Sequence, residues 1–259
     1  MRLQDKIVLV TGSTTGIGEA TARLCVAEGA RVMVHGRNEA RAQALCAELG
    51  DAAAYVLADL ADADAGPRIV EATIAHFGTL DALVNNAAVT TRSNLETTDP
   101  ALFDWIVAVN LRSPMFAIQA AVNEFRRKGG GVILNVGSIN ALAGESNLLA
   151  YSAAKGGLLT MSRNLANTLA TEQIRVNHLN VGWVTSDNEI ALKQTEGMRP
   201  GWETRVPKEY APFGRLLTPE QVAQHILFWI SDESYPANGC VYELEQYSFI
   251  GRNVSKAFD

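Results

Sequence analysis

The chain has 259 residues, 47% hydrophobic and 19% charged, which is enough apolar mass for one large α/β domain over 1–259. Its net charge of -6 argues against nucleic acid or an anionic membrane as a partner. Three widely spaced cysteines, Cys25, Cys46 and Cys240, form no CxxC pair; this speaks against a disulfide framework or a metal site and for a reduced, cytoplasmic setting.

The opening MRLQDKIVLVTG reaches a glycine turn too soon for a signal peptide, and no apolar run approaches the roughly 20 residues that span a bilayer. Residues 6–11 read as a strand running into Gly12-Ser13-Thr14-Thr15-Gly16-Ile17-Gly18, then an amphipathic helix to about Glu28. A strand, a glycine turn and a helix N-terminus together suit a pyrophosphate: the backbone approaches closely and unpaired N–H groups face the negative charge. The spacing is G-x-x-x-G-x-G rather than G-x-G-x-x-G.

A second strand over 31–35 ends in Gly36-Arg37-Asn38, where a carboxylate for the ribose hydroxyls would stand in an NAD-binding chain. Gly36 leaves room and Arg37 offers a guanidinium for a 2′-phosphate, so NADP(H) is expected over NAD(H), with NAD(H) still open through Glu39. Helix 38–48 and strand 53–57 lead into Asp59-Leu60, where Asp59 either meets the adenine amino group or caps the turn. A helix over 67–77 and a strand over 81–84 then deliver Asn85-Asn86-Ala87-Ala88, small residues beside which a cofactor can pass.

Asp99-Pro100 reads as an N-cap and first-turn proline opening one long helix to about Arg127, apolar on most faces. Pro114 has no N–H, so the Asn110 carbonyl loses its i+4 donor; a kink at 110–114 and a water held there are expected. Strand 132–136 delivers Ser138. In a helix from Leu149 to about Ala170, Tyr151 and Lys155 share a face at i and i+4. An ammonium beside a phenol favours the phenolate, so the Tyr151 pKa is expected to fall and the phenol to exchange protons near neutrality. Alone, such a pair also occurs on plain surface helices.

Strand 174–179 ends in Asn180-Val181-Gly182-Trp183-Val184-Thr185-Ser186. Residues 187–217 are polar and weakly periodic and read as a mobile substrate lid, or else as a surface excursion. A helix from Thr218-Pro219 to Ile230 and a strand over 240–244 precede a tail at 246–259, in which Phe249, Ile250 and Arg252 are candidates for subunit contact. Asn140, Glu145, Asn147, Trp183 and Asn188 are the substrate-side candidates; their polar groups and one aromatic face suit a sugar, polyol or sugar acid.

With the 12–18 turn, Asn85-Asn86-Ala87-Ala88, Asn110, Ser138 and Tyr151-x-x-x-Lys155 in this order, the chain resembles the short-chain dehydrogenase/reductase family from residue 6 to about 245. The resemblance implies a doubly wound Rossmann-type α/β fold, with a mostly parallel seven-stranded sheet in the order 3-2-1-4-5-6-7. It implies Tyr151 as general acid/base, Lys155 lowering its pKa and binding the nicotinamide ribose, Ser138 orienting the substrate oxygen and Asn110 supporting a water relay. Gly12, Ser13, Thr14, Gly16, Ile17, Gly18, Arg37, Asp59, Leu60, Asn86, Ala87 and Ala88 would line the nucleotide, with Gly182, Val184 and Ser186 beside the nicotinamide. A homotetramer built on the 99–127 and 151–170 helices is also implied. Departures are Ala88 for glycine, Val181-Gly182 for Pro-Gly, Ser186 in place of threonine (Thr185 being adjacent), and Thr15 where NADP-preferring members carry a basic residue.

The activity expected is hydride transfer between the dinucleotide and a secondary alcohol or ketone. Alternatives are a 3-oxoacyl-thioester or other ketone reductase, a lyase or epimerase on the same scaffold, and a non-catalytic dinucleotide sensor or scaffold.

Overall fold

β-branched runs that are apolar at consecutive positions need cover on both faces, and a parallel sheet flanked by helices supplies it. The computed structural model, which describes residues 1–247, shows this arrangement. Strands β1 (Ile7–Val10), β2 (Arg31–Gly36), β3 (Ala53–Leu57), β4 (Ala82–Asn85), β5 (Gly131–Ser138), β6 (Ile174–Val181) and β7 (Val241–Leu244) form one sheet. Its order is β3-β2-β1-β4-β5-β6-β7, and every pairing is parallel. The order reverses between β1 and β4, so the crevice for a ligand opens above the carboxyl ends of those two strands.

The period of two along each strand divides the core between two layers. Val8, Val10, Val32, Val34 and Leu134 face α1 (Gly16–Ala27) and α9 (Pro219–Ile230), where Ile226 and Leu227 meet them. Leu9, Met33, Leu83 and Ile133 face the other way, toward Ile69 of α3 (Ala65–Phe77) and Phe125 of α5 (Ser113–Lys128). Helix α2 (Glu39–Leu49) covers β2 and β3 on the first face.

The helix expected from 99 to 127 is three pieces. Asp99 caps α4 (Pro100–Val107), its carboxylate accepting from Leu102 N at 2.8 Å. A π-helical turn at Ala108–Arg112 follows, and α5 begins at Ser113 with Pro114 at its start. The wide turn falls where Pro114 removes the Asn110 acceptor's partner, so the kink takes the form of a π-bulge. Contrary to the sequence reading, this 100–128 run is long and apolar enough by composition to cross a membrane. Ala117, Ile118, Ala121 and Phe125 are instead buried against the sheet and α3, as expected for a covered layer helix.

The remaining elements surround the site. A four-residue helix α6 (Asn140–Ala143) and the long α7 (Leu149–Leu169) follow β5. The segment after β6 is more regular than its weak periodicity suggests: it contains α8 (Asp187–Thr195), capped by the Ser186 hydroxyl, and a single helical turn at Trp202–Thr204. Tail residues 248–259, including Phe249, Ile250 and Arg252, lie outside the described residues.

Candidate active site

A cleft of about 1370 Å³ runs along the carboxyl ends of the strands. That exceeds the roughly 300–1,000 Å³ of a pocket for one small molecule and suits a dinucleotide with a substrate beside it. At one end lie Gly12, Thr14, Gly16 and Ile17 of the turn, then Arg37, Asp59 and Leu60, with Asn86, Ala87 and Ala88 opposite. Ser138, Tyr151 and Lys155 stand at the middle, and Gly182, Val184 and Ser186 close the side under α8. Asn140, Glu145 and Trp183 line the far end.

The turn is built for close approach. Gly12 has φ +64, and a Cβ there would lie 2.8 Å from the Ala87 Cα, so only glycine lets the β1 and β4 ends meet. A Cβ on Gly18 would lie 2.2 Å from the Gly12 carbonyl; this glycine packs helix on turn and does not line the cleft. Ser13 does not line it either. Its hydroxyl donates to Val10 O at 2.7 Å and accepts from His35 N at 2.9 Å, tying β1 to β2. His35 completes the tie: Nδ1 accepts from Gly12 N at 3.0 Å, which leaves Nε2 to donate to Ala58 O at 3.2 Å. Burial, first of all, lowers the His35 pKa to about 4, so the ring stays neutral in that tautomer.

Asn85, the last residue of β4, bonds the neighbouring strand β5, and Asn86 bonds the glycine turn. Asn85 Nδ2 donates to Asn135 Oδ1 at 2.9 Å, and Asn86 Nδ2 to Thr11 O at 2.9 Å and Gly12 O at 3.2 Å. At the ribose end the space beside Gly36 is taken: a Cβ there would meet the Thr14 side chain at 2.6 Å. Arg37 reaches Asp59 Oδ2 at 3.4 Å, while Asp59 Oδ1 caps its own turn by accepting from Ala61 N at 2.9 Å.

Ser138 ends β5 and Tyr151 stands in the first turn of α7, so strand and helix bring the two hydroxyls together. Lys155, one turn on, is 2% exposed and donates to Val136 O at 2.7 Å. Its Nζ lies 5.8 Å from the Tyr151 ring centroid. The expected fall of the phenol pKa is not what this geometry produces. Burial pushes Tyr151 up to about 12; the hydrogen bond with Ser138 pulls down, and the Glu189 carboxylate pushes up. Burial likewise lowers Lys155 to about 8. Desolvation is the leading cause for each group.

Asn110 does not line the cleft; it is fully buried in the π-turn. Its amide donates to Val89 O at 3.1 Å and Ile106 O at 2.9 Å, and its Oδ1 accepts from Val89 N at 3.3 Å. The side chain thus pins the loop after β4 to α4. Thr185 donates to Leu217 O at 3.1 Å, so of that pair Ser186 is the residue facing the cleft.

The substrate end differs most from the sequence reading. Asn188 donates to Thr15 Oγ1 at 3.2 Å and so joins the nucleotide turn, and Asn147 lies outside the lining. The face of Trp183 is covered by Trp202, stacked at 5.2 Å and 20°, with the edge of Tyr210 at 6.3 Å. Glu189, Trp202 and Tyr210 line this end and were not among the substrate-side candidates from sequence. Nothing in local periodicity points Trp202 or Tyr210 of segment 187–217 at a strand end some twenty or more positions away.

The short chain dehydrogenase family profile matches residues 6–197. The chain belongs to the short-chain dehydrogenase/reductase family. It is similar to the L-rhamnose 1-dehydrogenase (NAD(P)(+)) of Azotobacter vinelandii, at 38% identity over 90% of this chain and 92% of that protein. With the galactitol 2-dehydrogenase of Agrobacterium fabrum it shares 31% identity over 90% of this chain and 93% of the other. The crystal structure of a 3-ketoacyl-(acyl-carrier-protein) reductase from Brucella melitensis complexed with NADH superposes with a TM-score of 0.84 at 33% identity, covering 94% of this chain and 98% of that one. This family member is therefore an NAD(P)-dependent oxidoreductase, and the turn at Gly12, backed by Ala87 and Asn86, fits a dinucleotide.

Proposed function

We propose that the protein interconverts a secondary alcohol and its ketone on a small polar substrate such as a sugar, polyol or sugar acid, with NADP(H) preferred over NAD(H). The observation that carries this is the meeting of Ser138, Tyr151 and Lys155 in the same cleft as the glycine turn. Ser138 and the Tyr151 phenol hold the substrate oxygen. The phenol gives that oxygen a proton in reduction and takes one from it in oxidation. When bound, the nicotinamide supplies or accepts the hydride. Lys155 holds the nicotinamide ribose and its charge favours the phenolate. The Asn110 carbonyl, freed by Pro114, holds a water that resupplies the proton. A phenol pushed up to about 12 is protonated at neutral pH, the form reduction needs, so the rate of alcohol oxidation rises with pH.

The NADP(H) preference is supported by Arg37 at the cleft's ribose end. The polar substrate is supported by Asn140 and Glu145 at the far end and by the two sugar- and polyol-dehydrogenase relatives. A 3-oxoacyl-thioester reductase is the second reading, favoured by the Brucella likeness. Segment 187–217 serves as the lid. Exposed Phe103, Phe116 and Leu149 on α4, α5 and α7 support a homotetramer, which sedimentation velocity reads directly. Three free thiols fit a cytoplasmic setting.

One experiment tests the reading. NADPH and NADH are titrated into wild type, Tyr151→Phe and Arg37→Ala, and turnover is measured on polyols, sugar acids and 3-oxoacyl thioesters. Tyr151→Phe keeps both dissociation constants and loses turnover by about 10²- to 10⁴-fold; Arg37→Ala weakens NADPH alone, by about tenfold. Unchanged turnover in Tyr151→Phe defeats the acid/base role, and a wild-type preference for NADH defeats the cofactor assignment.

A further inference from the structure

Glu189 sits in the first turn of α8, with its N–H bonded to Ser186 Oγ at 3.3 Å. Its Oε1 accepts from Trp183 Nε1 at 2.9 Å, so an indole from the end of β6 fixes the carboxylate's orientation. The group lines the substrate end of the cleft, and its charge is felt by the Tyr151 phenol. Among the described residues Glu189 has no ion-pair partner and its Oε2 has no hydrogen-bond donor.

The charges around it are arranged unevenly. Arg92, on the loop after β4, and Lys193, on α8, both bind Glu196, at 2.5 and 2.8 Å, so their ion pairs are made with Glu196 and not with Glu189. Lys193 also lies 5.7 Å from the Trp183 ring centroid. On the opposite rim Glu145 bears on Arg92 as Glu189 does, and accepts from Asn140 Nδ2 at 3.5 Å. Lys155 is held below by the Val136 carbonyl. Arg205 and Glu209 line the cleft from the same segment, and Glu245 stands behind Gly182. Glu189 Oε2 is thus a carboxylate oxygen of a cleft-lining residue with no donor among the described residues, and a carboxylate accepts hydroxyls strongly and repels anions.

We infer that Glu189 is a specificity-determining residue: it takes a hydroxyl of a neutral polyhydroxylated substrate on Oε2 and turns anionic substrates away. The inference rests on the small polar substrate proposed above and narrows it to uncharged sugars and polyols, against sugar acids. The lid therefore brings a selecting group to the site when α8 is in place, besides excluding water.

Glu189→Gln keeps an amide oxygen for Trp183 Nε1 and removes the charge. The experiment measures kcat and KM of wild type and Glu189→Gln on alditols and aldoses, on the matching aldonic acids, and on a 3-oxoacyl thioester, with pH profiles of alcohol oxidation. Expected for Glu189→Gln is a loss of about 10- to 100-fold in kcat/KM on neutral compounds, mostly in KM, with the aldonic acids unchanged or improved. With the repelling charge gone the phenol ionises more readily, so the rising limb of the oxidation profile moves to lower pH. An unaltered neutral-to-anionic ratio, or an unmoved limb, overturns the inference and leaves the polar-substrate reading standing. Wild-type turnover confined to the thioester overturns both.

Discussion

Lys155 shows how a single residue is held at a cost to the fold. A buried ammonium whose pKa is lowered to about 8 prefers water, and among the described residues the Val136 carbonyl is what accepts its hydrogen bond. Between pH 8 and the unfolded lysine value near 10.4, the unfolded chain binds the extra proton, so stability rises with pH across that window. Lys155→Met is therefore expected to raise Tm at pH 7, by the equivalent of about 1–3 kcal/mol, while abolishing turnover; the gain shrinks above pH 8. Calorimetry of the nucleotide-free protein at several pH values checks this, and a lower Tm at pH 7 refutes it. The i, i+4 relation of Tyr151 to Lys155 was legible in the sequence because helix periodicity is local. The direction of the phenol's shift was not, because it depends on how much of the protein lies over the ring.

At the scale of elements, segment 187–217 is held by an aromatic contact between parts of the chain that no local pattern joins. Trp202, in its single helical turn, stacks on Trp183 at the end of β6, and Tyr247 donates to Lys208 O at 3.0 Å. A stacked pair is worth about 0.5–1.5 kcal/mol beyond its buried area. Trp202→Ala should loosen the segment, raising substrate KM several-fold while leaving the NADPH dissociation constant unchanged; equal loss of both affinities would count against a lid. The break in the 100–128 helix is a case the sequence did disclose, since Asn110 and Pro114 stand one hydrogen-bond step apart. That the break would be a π-turn, with the Asn110 amide bonded to Val89, required the loop's position. Conversely, α8 was hidden by its near-uniform polarity: a helix lying over an open cleft has no continuous apolar stripe to declare it.

For the molecule as a whole, two histidines buried between strands and helices make stability acid-sensitive. Burial lowers both His35 and His178 to about 4, from the ordinary histidine value of 6.5. From pH 6.5 down to 4 the unfolded chain takes up protons that the folded one refuses, so stability falls with pH over that window and levels off below it. His178 stands between Ser162 Oγ, at 2.9 Å from Nδ1, and Asn180 Oδ1, at 3.0 Å from Nε2. His178→Asn should flatten the acid limb of a urea-unfolding series while lowering stability at pH 7.5; an unchanged slope between pH 6.5 and 4 would refute the assignment.

The glycine turn and the i, i+4 spacing of Tyr151 and Lys155 were readable before any coordinates because they rest on short-range pattern, whereas the strand order was expected from the family resemblance and is the order the sheet has. Ser13, Gly18 and Asn147 were read as ligand groups, and folding directs them elsewhere, onto β2, the turn and a position off the cleft, while Asn188 lines the cleft with its amide bonded to Thr15. A polar side chain's partner is whichever donor or acceptor the fold brings within about 3 Å, and that choice is made by packing between distant segments. The residue types state what chemistry is available, and only burial and contact across the chain decide which of them face the cleft and with what charge.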